Sequence, residues 1–472
     1  MQLPLEDEDE MRLPNFRLGD DLLSYLSSIR KVVFSQTEHK DVTLVLGNPS
    51  CDLDSFICAF SLSYFYNARP NASKHHRNPI YVPVLNLPFI QTGDLWRLRP
   101  EFGVAVRGAV DGLSHQTNTL LSEDTVKAQQ DRDKSLLEQL ITIHELSTND
   151  KTIPSLKHAF TPSGHFPASA SKSKVDVILV DHNSPAVETL NEEDITARFN
   201  IVGCIDHHVE EDYVPKEAVP RIVKLGIGSC QSLVTQHLRK MNLWTMDQSR
   251  GELSGFKQIA RLALTPILID TWDLKAPGNR VSQIDRDQVD FLDEFTGADF
   301  DREDLFAQTQ AAKESSLNLL NMQEIFSRDY KSYIETTKDG KQLYIGIASV
   351  VQSIEWLVQH AKGKEKLVQE IEKYARAGEK KLEIFGLLTR AGDRKEVAFF
   401  AFGEHGAQAI QRFERIGGEL KLQTWEEDEE LFSLFDSKIG TSRWHVWWMG
   451  DVSKSRKQVG PLIRDGLQNA SA

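Results

Sequence analysis

Cysteine is scarce in this chain. Four occur in 472 residues, Cys51, Cys58, Cys204 and Cys230, and none forms a CxxC pair. That argues against a disulfide framework and for reduced thiols in a cytoplasmic protein. An excess of positive charge is missing too: 55 Lys and Arg face 69 Asp and Glu, a formal net charge of -14. That balance argues against a dedicated nucleic-acid binder, while it leaves room for a local basic site for an anionic substrate. No run is long and apolar enough to span a bilayer. The opening residues, MQLPLEDEDEM, are acidic and lack a basic segment and an apolar core, so they read as neither secretory signal nor transit peptide.

The length is sufficient for two large domains. A helical pattern (Leu22, Leu23, Leu26, Ile29, Val33) precedes four short apolar runs, at 42–47, 175–180, 201–205 and 262–269. The length of these runs, with the β-branched content of the first three, predicts buried parallel strands. Helical patterns at 55–66, 125–143 and 232–243 lie between several of them. This alternation predicts an α/β domain, a mostly parallel sheet flanked by helices. Residues 147–174, rich in Ser, Pro, Ala and Lys, read as a mobile insertion. Beyond residue 279 the pattern becomes that of a smaller α+β domain. Helices are expected at 288–295 and 304–329, a hairpin around Ala391, Gly392 and Asp393, and a strand at WHVWW packing Trp444, Val446 and Trp448 into a core. The expected domains are 1–284 and 285–472.

Each of the four runs ends in acid. The first is followed by Asn48, Asp52 and Asp54, the second by Asp181, His182 and Asn183, the third by Asp206, His207 and His208, the fourth by Asp270 and Thr271. In an open parallel sheet, ligands collect outside the carboxyl ends of the strands. Singly, each has an ordinary explanation. Asp52 and Asp54 suit a helix cap and first turn, Asp181 an Asx turn, and one of two adjacent histidines is structural. Together they crowd carboxylates at one edge, which requires cations or raised pKa values. Asp and His without Cys suit Mg2+ or Mn2+ better than structural zinc. Five or six ligands exceed the needs of one catalytic ion and fit two, about 3.5–4 Å apart, which activate water for in-line phosphoryl displacement. The expected reaction is metal-assisted hydrolysis of a phosphoester or phosphoanhydride.

The ordered set GNPSCDLDS, LVDHN, DHH and ILIDT resembles the four motifs of the DHH phosphoesterase superfamily, over roughly residues 25–285. Near the C-terminus, SRKQVGP is similar to the Ser-Arg-Lys signature of the second type of DHH-associated domain. That pairing occurs in manganese-dependent pyrophosphatases, fungal-type cytosolic exopolyphosphatases and prune-like proteins. The resemblance implies that Asp52 binds a first metal and Asp54 a second, that Asp181 bridges them, and that His207 and Asp270 complete the second site. It implies that His208 contacts the substrate phosphate as a proton donor and that Asp206 orients the histidine tautomer. Arg456 and Lys457 would neutralise phosphate charge from the other domain, with Ser455 shaping the turn.

Pyrophosphatases of this family carry histidine where this chain has Asn48; the exopolyphosphatase branch resembles this chain in having asparagine. The pyrophosphatase-type lysine is not at its matching place, and Lys313 is the nearest substitute. Prune-like proteins tend to lose the second histidine of DHH, whereas His207 and His208 are both present here. The expectation is an exopolyphosphatase with two Mn2+ or Mg2+ ions, releasing orthophosphate from inorganic polyphosphate. The alternatives are a pyrophosphatase or nucleotide phosphohydrolase, or a prune-like interaction protein with little activity. The chain is expected to be cytoplasmic and monomeric, without nucleic-acid or membrane partners, and its site to lie in a cleft closed by a hinge near 280–290.

Other candidates are softer. GIGSCQSLV (226–234) offers an anion the start of a helix, or is a plain turn and cap. Lys275 lies five residues after Asp270, within reach of a phosphate or simply solvated. Residues 68–79, with Arg69, Lys74, His75, His76 and Arg77, form either a basic approach for a polyanion or an ordinary loop. WEEDEEL (425–431) reads as a solvated face.

Overall fold

The computed structural model describes residues 16–36, 42–69, 79–113, 123–162, 174–250, 254–278, 280–377, 381–425 and 444–470. The chain divides into two compact units, Met1–Ser316 and Leu317–Ala472.

The first unit is built on five parallel strands, β1 (Val42–Leu46), β2 (Ile80–Val84), β3 (Val175–Val180), β4 (Phe199–Asp206) and β5 (Arg221–Val223), in the order β2-β1-β3-β4-β5. The central strands VTLVL and VDVILV are buried nearly throughout, as a parallel sheet covered on both faces requires. The helices of this unit are α1 (Leu22–Val33), α2 (Leu53–Asn67), α3 (Leu95–Leu98), α4 (Pro100–Val110), α5 (Glu123–Leu137), α6 (Ile143–Thr148), α7 (Pro154–Phe160), α8 (Glu192–Arg198), α9 (Cys230–Lys240), α10 (Ser254–Thr271), α11 (Gln283–Thr296) and α12 (Arg302–Glu314). Helix α2 is buried from Leu53 to Tyr66 and packs against α9 and α10. A helix apolar on every side belongs in the interior, so the start of α2 is held rigidly.

The second unit has a mixed sheet of β6 (Tyr330–Thr336), β7 (Gln342–Ser349), β8 (Leu382–Ala391), β9 (Arg394–Ala401), β10 (Leu422–Thr424) and β11 (Trp444–Met449), ordered β10-β11-β9-β8-β7-β6. Among the described strands of this sheet, only β7 and β8 pair in parallel. Its helices are α13 (Met322–Arg328), α14 (Ile354–His360), α15 (Lys364–Arg376), α16 (Glu404–Ile416) and α17 (Arg456–Gln468). The β8–β9 hairpin turns at Gly392, whose φ of +63° is the left-handed value that glycine adopts freely. In β11, Val446, Trp447 and Trp448 are all buried.

The structure departs from the sequence expectations in four places. The fourth apolar run is no strand: residues 262–269 belong to α10, an 18-residue helix that carries Pro266 inside it. The run continues a longer helical segment, and a short apolar window does not reveal that length. Within 147–174, α7 buries Leu156, Ala159 and Phe160, and the Ile153 N–H bonds the Val33 carbonyl, so this part is core; 163–173 lie outside the described residues. The expected helix at 304–329 is two helices, α12 and α13, separated by turns. The compact first unit also runs past the expected division at 284 to Ser316, because α11 packs on α9 and α10, and α12 on α4 and α10. No helix among the described residues is long and apolar enough to cross a membrane.

Candidate functional site

The sheet register brings the acid-bearing loops together. Leu46 lies beside Leu179, and Val180 beside Ile205. The chain therefore leaves β1, β3 and β4 at one edge, with Asn48, Asp181 and the Asp206–His207–His208 run side by side. The order β2-β1-β3 reverses direction at β1, which makes the β1/β3 boundary the switch point of the sheet. Asp181 has a φ of +62°, a left-handed conformation that Asp tolerates better than most residues and that turns it sharply off the strand. Asp52 caps α2 by accepting the Ser55 N–H at 3.0 Å and is exposed; Asp54, in the first turn, is buried.

Asp181 stands at the centre. Its Oδ2 accepts from the Asn48 Nδ2 at 2.8 Å and from the Ser55 Oγ at 2.7 Å. Its Oδ1 faces the His207 Nε2 at 3.2 Å, and that nitrogen is 4.0 Å from the Asp54 Oδ2. The His207 Nδ1 donates to the Ile227 carbonyl at 3.0 Å. A carbonyl only accepts, so Nδ1 carries a proton, and Nε2 is the nitrogen turned to the carboxylates: it donates to Asp181 when protonated and would be the ligating atom once a cation displaces that proton. Ligand atoms of Asp181, His207 and His208 lie within 4.8 Å of one another.

Crowding shows in the acidities. Burial, then the charges of Asp52 and Asp54, push the Asp181 carboxyl up to about 7 against the pull of His207. Burial raises Asp54 as well, with His207 opposing and Asp52 adding. Asp270 is held well above the carboxylate range by burial, then by Asp54 and Asp52, with Lys313 counteracting and Asp181 adding. Burial disfavours the His207 cation, but the Asp181 bond and the Asp54 charge outweigh it and lift the imidazole to about 10. Asp52, Asp54, Asp181 and Asp270 thus share one field, although Asp270 arrives from the end of a helix. Like charges so placed call for a divalent cation, and the donor set of carboxylate oxygens with one imidazole nitrogen suits Mg2+ or Mn2+.

Asp206 is fully buried. It accepts from the Asn183 Nδ2 at 2.6 Å, from the His207 N–H at 2.8 Å, and from the His208 Nδ1 at 2.8 Å. The Asp206 bond is the first cause that lifts the His208 pKa, with burial opposing. Asp206 therefore fixes the ring of His208, not that of His207.

Both ends of the Asn48 amide are engaged. Its Oδ1 accepts from the Ser50 N–H (2.9 Å), the Ser50 hydroxyl (2.5 Å) and the Cys51 N–H (3.1 Å). Lys313, at the end of α12, acts on the Asp270 carboxyl, while the exposed Lys275 ammonium is bonded to Asp273 at 2.7 Å. Arg456 lies in the second unit, at the start of α17, with its guanidinium on Asp329 at 2.6 Å. The Lys457 side chain, residues 70–78 and residues 426–443 lie outside what is described. The turn before α9 does hold an anion, but the anion is the chain's own. The Asp54 carboxylate accepts from the Ser229 Oγ (2.9 Å), the Cys230 N–H (2.6 Å) and the Gln231 N–H (2.9 Å).

Two supporting residues, Ser55 and Asn183, have no such role in the sequence reading, although both sit inside the motifs.

Comparison with known proteins finds two domain models and several relatives that this chain resembles. The model of the DHH family, N-terminal domain, matches residues 42–267, and that of the DHHA2 domain matches 308–465. A Schizosaccharomyces pombe protein named "Putative exopolyphosphatase" is 27% identical over 435 residues, 91% of this chain and 92% of that protein. "Exopolyphosphatase PRUNE1" of Rattus norvegicus is 22% identical over 326 residues, 69% of this chain and 55% of its own length. A Methanococcus jannaschii crystal structure titled "putative family II inorganic pyrophosphatase" is 17% identical and aligns over 90% of this chain and 99% of that one, but its TM-score of 0.44 is too low to carry an argument. The two domain matches take in the acid-bearing loops after β1, β3 and β4 and the sheet of the second unit, and on them the chain joins a DHH-family N-terminal domain to a DHHA2 domain.

Proposed function

We propose that this chain is a metal-dependent exopolyphosphatase that releases orthophosphate from the end of inorganic polyphosphate. The observation that carries the reading is the shared field of Asp52, Asp54, Asp181 and Asp270, with the His207 Nε2 turned into it. Asp52, Asp54, Asp181, His207 and Asp270 would hold two divalent cations, Mn2+ or Mg2+. When bound, such ions supply Lewis acidity and an activated water.

The remaining steps belong to the protein. His208, half-exposed and held through Nδ1 by Asp206, presents its other nitrogen to an arriving phosphate and donates a proton to the departing oxygen. Lys313 places a positive charge by the carboxylates, where it balances phosphate charge. Asn48 and Ser55 hold Asp181 by its Oδ2, so that Oδ1, which faces His207, is the oxygen that would be available to a cation. The name of the S. pombe relative, matched over most of both chains, and the asparagine at position 48 support polyphosphate over pyrophosphate as substrate.

The test is phosphate release from long-chain polyphosphate, tripolyphosphate, pyrophosphate and cyclic nucleotides, each with Mg2+, Mn2+ or EDTA. Polyphosphate is expected to turn over fastest, and only with metal. Pyrophosphate turnover equal to or faster than polyphosphate turnover would sink the substrate assignment. Equal rates in EDTA would sink the metal-dependent mechanism.

A further inference from the structure

Asp285 is fully buried in the first turn of α11 and takes no part in the cluster described above. Part of its surroundings is an ordinary capping box: its Oδ2 accepts from the Ser282 N–H and hydroxyl, both at 2.7 Å. A cap needs no more than that. Yet the same carboxylate accepts three further bonds from the segment leading into α9: the Gly228 N–H at 2.9 Å, the Ser229 N–H at 3.4 Å and the Ser232 hydroxyl at 2.7 Å. One buried charge therefore ties the start of α11 to the start of α9.

The segment so tied touches two of the five residues that would hold cations, His207 and Asp54, and packs beside the neighbour of a third, Asp270. The Ile227 carbonyl takes the Nδ1 proton of His207 and so sets its tautomer. Ser229, Cys230 and Gln231 bind both oxygens of Asp54. Gly228 lies against the end of α10: a Cβ placed there would sit 2.6 Å from the Thr271 Cγ2, one residue from Asp270, and 2.6 Å from the Arg280 carbonyl. There is no slack at this point, so the segment cannot shift without disturbing its neighbours.

We infer that Asp285 is a positioning residue for the cation site, acting through residues 227–231 on His207, Asp54 and the Asp270 end of α10. The inference rests on the two-cation reading above. A charged acceptor holds its N–H partners more firmly than a neutral one, and partners of metal ligands set ring orientation and ligand basicity. Removing the charge frees the segment, and with it the His207 tautomer and the Asp54 orientation.

The experiment is direct Mn2+ binding to the full-length protein, read by loss of the free-ion electron paramagnetic resonance signal, for the wild type, Asp285→Asn and Ser232→Ala. Melting of each protein in EDTA is recorded alongside. Asp285→Asn is expected to weaken Mn2+ binding about 10- to 100-fold, with a melt in EDTA that is lower than that of the wild type, since buried bonds are lost, but still cooperative. Ser232→Ala, which removes one bond to Asp285 and keeps the carboxylate, is expected to weaken binding in the same direction by less. If Asp285→Asn is folded in EDTA and binds Mn2+ as the wild type does, the inference is overturned. If Asp285→Asn does not fold, Ser232→Ala decides: unchanged Mn2+ affinity overturns the inference, and weakened affinity with a cooperative melt supports it. A wild type that binds no Mn2+ overturns the metal reading itself, an outcome distinct from the failure of Asp285 alone.

Discussion

The Asn48 side-chain amide donates to the Asp181 Oδ2 at 2.8 Å while its own oxygen caps the turn at Ser50 and Cys51. The two backbone donors fix which end of the amide is oxygen. The asparagine that the resemblance sets against a histidine of the pyrophosphatases thus spends its nitrogen on Asp181 and its oxygen on the loop. Replacing it with alanine removes a donor to Asp181 and unravels the turn. Asn48→Ala is expected to lower phosphate release at limiting metal by about 10-fold or more, as for other partners of metal ligands. A metal titration checks this, and a half-saturating concentration equal to that of the wild type would contradict it.

Asp181 lies in the field of both Asp52 and Asp54 and faces His207. Asp181→Ala removes the central acid, so phosphate release with Mn2+ or Mg2+ is expected to fall at least about 100-fold, the scale of losing one main electrostatic contact in an active site. Unchanged release would refute the catalytic reading.

Ser55 is buried and donates to Asp181 at 2.7 Å. Ser55→Ala leaves Asp181 Oδ2 with Asn48 as its side-chain donor. A loss of about 1 kcal/mol in metal-free stability is expected from one hydrogen bond, together with weaker metal binding. Denaturant melts and metal titration separate the two effects. The neighbouring glycine is bound to this contact, since a Cβ at Gly47 would lie 2.7 Å from the Ser55 Cβ. Gly47→Ala is expected to be more damaging than Ser55→Ala.

Asp206 holds the His208 ring at 2.8 Å and is itself held by Asn183 at 2.6 Å. Asp206→Asn keeps the shape and removes the charge that favours protonated His208. Loss of proton donation is expected to lower kcat by about 100-fold, with KM changed much less. A change confined to KM would point instead to a role in substrate binding.

Away from the site, the His237 Nε2 is paired with the Tyr66 hydroxyl at 2.7 Å. Burial, then the charges of Arg69 and Lys240, push this imidazole from 6.5 down to about 4. Between those values the unfolded chain binds a proton that the folded chain does not. Its contribution to stability is therefore complete above pH 6.5 and is lost as pH falls towards 4. His237→Gln is expected to flatten that part of the stability–pH curve, measured by urea melts from neutral pH downward. An unchanged slope would mean that the folded protein protonates His237 readily.

How much of the site was legible depended on how each residue reaches it. Asp52, Asp54, Asp181, Asp206, His207 and His208 follow apolar runs that are strands, and a parallel sheet delivers all such ends to one edge. Their order along the chain was enough. Asp270 was placed in the cluster for a different reason from the one that holds. It rides the last turn of α10, and an apolar window of that length looks the same in a buried strand and a buried helix. For residues 226–234 the sequence offers an anion receptor or a helix cap; Ser229 does cap α9, and the donors at the start of that helix go to the Asp54 carboxylate, which the sequence does not reveal. Contacts 175 and 177 residues apart along the chain leave no local mark. The same holds for Asp285, 57 residues from the glycine whose N–H it accepts.

The sequence by itself determined the acids, the histidine pair and the strands that carry most of them, because period, length and motif order are properties of neighbours along a chain. Only the tertiary structure decided which atoms do what. Asp181 presents one oxygen and surrenders the other, Asp206 serves His208, Asn48 is a donor in the scaffold, and Asp54 rather than a ligand fills the start of α9. Each of those assignments depends on a hydrogen-bond direction or a burial shared by segments far apart in the chain. Such relations come into being only when the chain has folded and water has been excluded from between them.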